Sequence, residues 1–278
     1  MSVLIPKVAS FFFTSSQNQN NQAKNVSSDG SSFSVQLDSP ISIPRGAVGI
    51  TLELTQASIW NNAFNISEEI KNNKFRYYQG DTWITITIPD GQYSLSALND
   101  YLGQQFLTQP LAEDFIQIAS DEPTQKSILV FSTSSARVDF TLVDSCRDVL
   151  GFNPRIVLST AINDIELSDN VARFNRVNSY LIKTNLIGNG IPINSKTNGI
   201  IASIPITSAP GSLIVYSPAH PIQADASSLV GGSTNYFTFS LLDQQERAVS
   251  TNGESYSFVV VIRYYLLLSS DSIPMINL

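Results

Sequence analysis

Residues 235–268 carry the longest regular pattern of apolar and polar positions in the chain, NYFTFSLLDQQERAVSTNGESYSFVVVIRYYLLL. In the first arm Phe237, Phe239 and Leu241 alternate with Tyr236, Thr238, Ser240 and Leu242, the period of two that sets one side of a strand against a core. The second arm does not alternate. Residues 258–268 are apolar almost throughout, broken only by Arg263, which predicts a strand covered on both faces. The polar connection DQQERAVSTNGE predicts that the two arms pair antiparallel, within a sandwich closed by the last strand of the chain.

The same reading along the rest of the chain gives further short strands. FFFTSS (11–16) reads as a short peripheral strand. QNQNNQAKN and SSDGSS follow, too polar to offset their ordering entropy, so 17–32 is expected to be a mobile surface loop or an arm that docks on a neighbour. Strands are expected at 33–37, 47–60, 75–78 and 83–88, with Pro89-Asp90-Gly91 as a turn. One helix stands out: Leu95, Leu98, Tyr101, Leu102 and Phe106 recur at spacings of three and four, behind Ser94 or Ser96 as N-cap. A hairpin (115–119 with 128–132) is placed to receive it. A strand at 137–142 follows, then a helical turn capped by Asp144 and stopped by Gly151. Residues 153–175 read as irregular, and strands resume at 177–187, 199–206 and 213–216. About ten strands, one helix and no βαβ alternation define an all-β chain: a single jelly-roll β-sandwich with an inserted helix-plus-hairpin elaboration. The expected boundaries are 1–32 for a peripheral N-terminal segment, 33–268 for the jelly roll, 82–152 for the elaboration and 269–278 for a tail.

Composition narrows the function. Charged residues make up 14% of the 278, against about 25% in ordinary soluble domains, and Ser, Thr, Asn and Gln supply the polarity instead. Such a surface suits permanent contacts with neighbours, and equally a secreted or surface β-protein with a neutral Ser/Thr coat. A net charge of −7 argues against a broad phosphate-binding face, so direct contact with nucleic acid is not expected. The single cysteine excludes an intrachain disulfide framework and points to a reducing compartment. No apolar run reaches membrane-spanning length, and the N-terminus lacks the features of a signal peptide.

The residues that could carry chemistry do not assemble into a motif. His220, the only histidine, lies between Pro218 and Pro221 with no nucleophile elbow nearby and reads as a loop residue. Cys146 reads as a small buried hydrophobe. Asp164, Glu166 and Asp169 lack the spacing and glycine of a calcium loop. Glu68-Glu69 and the charges of 243–247 read as solvated loops, and Gly231-Gly232 as a flexible loop. No catalytic, cofactor-binding or metal-binding residue is assigned, and no enzymatic activity is expected.

Several blocks together carry a resemblance. IPRGAVGITLELTQASIWNNAFNI, WITITIPDGQYSLSALNDYL, DSCRDVLGF, VNSYLIKTNLIGNG, ASIPITSAPGSLIVYSP and TFSLLDQQERAV with GESYSFVVVIRYY resemble, in order and spacing, the penton (minor capsid) proteins of virophages and of Polinton/Maverick-type and adintovirus-type elements. The resemblance implies a single jelly-roll subunit without catalytic residues or cofactor. It further implies homopentamers at the vertices of a virion, beside a double jelly-roll major capsid protein, assembled inside an infected cell. A second partner would be met by the terminal segments, 1–25 and 269–278. Two other readings fit the composition: a glycan-binding jelly roll stacking sugars on Trp60 and Trp83, and a major capsid subunit, against which stands the single occurrence of the helix-plus-hairpin pattern.

Overall fold

The strand that breaks the period-two rule in the sequence has a hydrogen-bonded neighbour on each side. In the computed structural model, which describes residues 3–17, 23–188, 190, 192–193, 196–197 and 199–268, the chain opens with β1 (Val3–Thr14), β2 (Ala23–Lys24), β3 (Ser32–Ser42) and β4 (Ala47–Trp60). Next come β5 (Lys74–Gln79), β6 (Thr82–Thr87), α1 (Leu95–Leu107), β7 (Ile116–Asp121), β8 (Lys126–Phe131), β9 (Arg137–Asp139), α2 (Arg147–Leu150), β10 (Ile156–Leu158) and β11 (Asp164–Val171). The rest is β12 (Ser179–Thr184), β13 (Pro192–Ile193), β14 (Lys196–Thr197), β15 (Ile200–Pro205), β16 (Leu213–Tyr216), β17 (Gln223–Asp225), β18 (Ser233–Leu242) and β19 (Ser257–Leu268). These fall into two compact units, Met1–Asn62 with Val177–Leu278, and Ala63–Arg176.

The first unit is two antiparallel sheets, one ordered β1-β19-β4-β16 with β17 also on β4, the other β15-β12-β18-β3-β2. Taking the principal strands in chain order, with β16 and β17 as one, the first sheet reads first-eighth-third-sixth and the second fifth-fourth-seventh-second. That double Greek key is the jelly roll. Rings from both sheets fill the space between them: Phe239 of β18 lies 4.7 Å from Phe13 of β1 and 4.8 Å from Phe258 of β19, while Phe33 of β3 lies 5.4 Å from Phe239. Each such pair contributes about 0.5–1.5 kcal/mol beyond the area it buries.

Three expectations change here. The two arms of 235–268 do not pair: β18 and β19 belong to opposite sheets and meet face to face through Phe239 and Phe258. Alternation specifies which side of a strand is buried but not which strand lies beside it, and the long polar link serves an arch between sheets as well as a hairpin. Nor is β19 covered on both faces along its length, since Tyr265 and Leu267 remain exposed on its outer side. Finally, the N-terminal segment is not peripheral to the roll. β1 pairs with β19 from Val3↔Leu268 to Thr14↔Ser257, and the loop before β3 is tied by Asp29, whose carboxylate accepts from the Ser27 hydroxyl and from Ser31 N (3.0 Å) and Ser31 Oγ (2.8 Å). The low-complexity residues 18–22 and the tail 269–278 lie outside the described residues.

The second unit has its own core around Phe75, Tyr77, Leu98, Leu102, Phe106, Phe131 and Phe140. Its sheets run β10-β9-β5-β6 and β11-β8-β7. The helix forms as its spacing predicts, Ser94 Oγ accepting from Ala97 N at 3.1 Å. Its apolar stripe of Leu98, Leu102 and Phe106 is buried, with Phe106 edge-on to Tyr77 at 5.1 Å and to Phe115 at 5.7 Å. Asn99 Oδ1 accepts from Ile118 N at 2.7 Å, fixing the helix to β7. Gly151 closes α2 at φ +83°, where a Cβ would meet Asn170 O at 2.3 Å. Asp144 is not the cap of that helix: Cys146 holds the cap position and makes no side-chain bond there.

The unit extends beyond the expected 82–152 because β5 pairs with β6, and β11, within the stretch that reads as irregular, pairs with β8. Near its two ends a single side chain makes a clasp. Asn65 Nδ2 donates to Tyr93 O (2.7 Å) and Phe174 O (2.9 Å), and Asn65 Oδ1 accepts from Tyr93 N (2.8 Å).

Candidate assembly surface

The side chains with chemical potential are engaged in structure. Cys146 is fully buried in the second unit, and burial pushes its thiol up to about 12, leaving it protonated at neutral pH. His220 is exposed in the β16–β17 connection of the first unit. The acidic run is tied within its own neighbourhood. Thr160 donates its N–H (2.6 Å) and hydroxyl (2.9 Å) to Asp164, holding that carboxyl below its usual range, while Arg155 lies 3.8 Å from Glu166 and 3.2 Å from Asp169. Among the described residues no three His, Cys, Asp or Glu side chains group as a metal would need. Glu68 and Glu69 are exposed, as expected.

Two loop expectations are corrected. Asp243 is buried rather than solvated: Arg247 approaches it through Nε (2.8 Å) and Nη2 (2.7 Å), and its Oδ1 accepts from the backbone N–H groups of Gln245 (2.8 Å) and Arg247 (3.0 Å). Asp243→Ala strands those donors at the turn that starts the arch, so a loss of about 2–3 kcal/mol is expected. Urea denaturation measures it, and an unchanged midpoint would show that the turn holds without the carboxylate. Gly231 is likewise a built turn, its N–H donating to Ile43 O at 2.8 Å and its φ of +66° favouring glycine.

Two edges of one sheet in the first unit expose apolar side chains. Ser15 N donates to Tyr256 O at 2.9 Å. Strict alternation from there turns the backbone groups of Phe13, Phe11, Ala9, Lys7 and Ile5 toward β19, and those of Phe12, Ser10, Val8, Pro6 and Leu4 toward the edge that no strand among the described residues pairs. Pro6, which has no N–H, thus falls where no sheet donor is required. The outer face of this edge strand exposes Leu4, Val8 and Phe12, the last by 67%. At the opposite edge of the same sheet β16 exposes Leu213 and Val215, the latter by 72%, and Trp60 lies beside Leu213 in register. In the middle of that outer face Glu53 is buried under Arg263, whose Nε reaches both carboxylate oxygens at 3.1 Å, and Gln223 Nε2 adds a bond of 3.0 Å. Period-two reading of the first strand would have revealed the stripe, but Pro6 and Lys7 interrupt the apolar run and hide it.

Charge separates the two units. The first carries seven Lys or Arg and eight Asp or Glu, the second nine and fifteen, giving formal charges of −1 and −6. The jelly roll therefore carries a net charge close to zero.

Strand order places the first unit among the jelly-roll proteins, a class that includes viral capsid and lectin domains. Among solved structures the chain is similar to the selenomethionine-labelled mavirus penton protein, at 9% identity over 94% of this chain and 99% of that one, with a TM-score of 0.45. No protein-family model matches the sequence, and no curated protein matches it. No helix among the described residues is long and apolar enough to cross a membrane.

Proposed function

We propose that this chain is a structural capsid protein, a penton subunit that forms homopentamers at the vertices of an icosahedral virion, beside a double jelly-roll major capsid protein. The observation that carries the reading is a jelly roll of nearly zero net charge that exposes apolar side chains along two of its edges. A body of that kind is sparingly soluble alone and is stabilised by permanent neighbours. The ordered sequence blocks that resemble penton proteins supply the number five and the vertex. The subunit has no catalytic role and binds no cofactor, and the acidic second unit disfavours contact with packaged nucleic acid.

The glycan reading keeps one of its two rings, Trp60, exposed beside Leu213, but not a second stacking platform. For sugar stacking Trp83 would need a free ring, but Arg76 sits 5.0 Å from its centroid and Tyr78 packs at 5.2 Å. A major capsid subunit with two rolls needs a second double Greek key, whereas the second unit is a four-stranded and a three-stranded sheet with a helix. Mass photometry of the purified full chain at micromolar concentration is expected to give a five-copy species. A strict monomer or trimer, alone and with the major capsid protein, would refute the vertex role.

A further inference from the structure

The two apolar edges belong to a single sheet, and their placement indicates how copies of this chain meet. Phe12 is level with Val259 and Gln56, while Val215 is level with Ser58. Along β4 those levels differ by two residues, about 7 Å at the rise of a strand. Both side chains stand on the outer face, opposite the buried Phe13, Phe258 and Ile214. Each is the most exposed large apolar side chain of its edge.

From this juxtaposition we propose that the β1 edge of one copy lies against the β16–β17 edge of the next, Phe12 seating on Val215 and Leu213, in a head-to-tail contact that closes into a ring. The proposal rests on the capsid reading above and names the surface that carries it. Three features select a second copy as the occupant. One chain presents two different apolar edges, as a heterologous contact requires. The edges overlap in height along the strands, so copies related by rotation alone, with no advance along the axis, bring them side by side; a net advance would build a filament instead of a ring. Strand direction agrees as well. β1 runs antiparallel to β19, β19 to β4, and β4 to β16 and β17, so copies related by rotation about an axis along the strands bring β1 antiparallel to β16. The outward N–H groups of Leu4, Val8, Ser10 and Phe12 are then available to continue the sheet.

The test uses the full-length chain. Phe12→Asp and Val215→Asp, both at exposed positions, are each expected to convert the pentamer to monomer in mass photometry while the chain stays soluble and still melts cooperatively, as a change outside the core allows. The double variant Phe12→Cys with Val215→Cys, treated with a short bismaleimide, is expected to give a covalent ladder ending at five copies, and Phe12→Cys alone none. Buried Cys146 is shielded from the reagent. Pentamers that survive either aspartate, or a covalent dimer from Phe12→Cys alone, would overturn this contact and leave the capsid reading standing. A parent chain that never assembles would overturn both.

Discussion

A chain ending at Gly253 is expected to be insoluble. Truncation there removes β19 from between β1 and β4, the strands it pairs with on either side. It also deletes Tyr256, Phe258, Val260, Val261 and Ile262 from the buried set. At about 1.5–3 kcal/mol for each buried side chain, that loss is on the order of 10 kcal/mol, comparable with the entire net stability of a domain, about 5–15 kcal/mol. The deletion also uncovers β1 and β4 along their lengths, and long apolar edges pair with other chains. Comparing soluble yields of the truncated and full chains checks this. A soluble truncation that melts cooperatively would show that the roll closes without its eighth strand.

Leu98→Asp is expected to abolish cooperative folding of the second unit. Leu98 is fully buried on α1, in the core that also holds Leu102 and Phe106. The substitution removes an aliphatic side chain, worth about 2–5 kcal/mol as the alanine change, and asks the site to accept a carboxyl without a partner at a further cost of several kcal/mol. Limited proteolysis followed by mass spectrometry should find cleavage inside Ala63–Arg176 in the variant and not in the parent. Protection equal to that of the parent, with melting within a degree or two of it, would mean that the helix does not pack through this side chain.

These two sites differ in how well the sequence announced them. Around Leu98 the period, the serine cap and the following hairpin all agree, and the helix and its receiving strands form where they are expected. Around β19 the pattern marked a strand at the centre of the fold yet assigned it the wrong neighbour. Pairing is decided by contacts as distant as Val3 with Leu268, which no local period encodes. The stretch 153–175 hid β10 and β11 for another reason: Ile156, Leu158, Ile165 and Leu167 are exposed, so apart from Val157 the apolar residues of these strands do not mark a core side. β17 is three residues long and was below the length at which alternation can be seen. Of the assembly surface only the low charge was legible. The two edges become visible once β1 and β16 are known to flank one sheet, and Asp243 looks like any polar turn until its four hydrogen bonds are traced.

The clasp at Asn65 bears on the order in which the chain folds. Between the third and fourth strands of the jelly roll lies Ala63–Arg176, and an unstructured loop of that length costs about 3 kcal/mol more to close than a four-residue turn. Asn65 joins the two ends of this stretch through Phe174. Once the second unit has folded, β4 and β12 are connected by a short, stiff link rather than a long coil. The inserted unit emerges from the ribosome before β12, and its folding would lower the loop-closure cost of the roll. A variant that slows its folding should delay formation of the jelly roll even where no side chain of the roll has been touched.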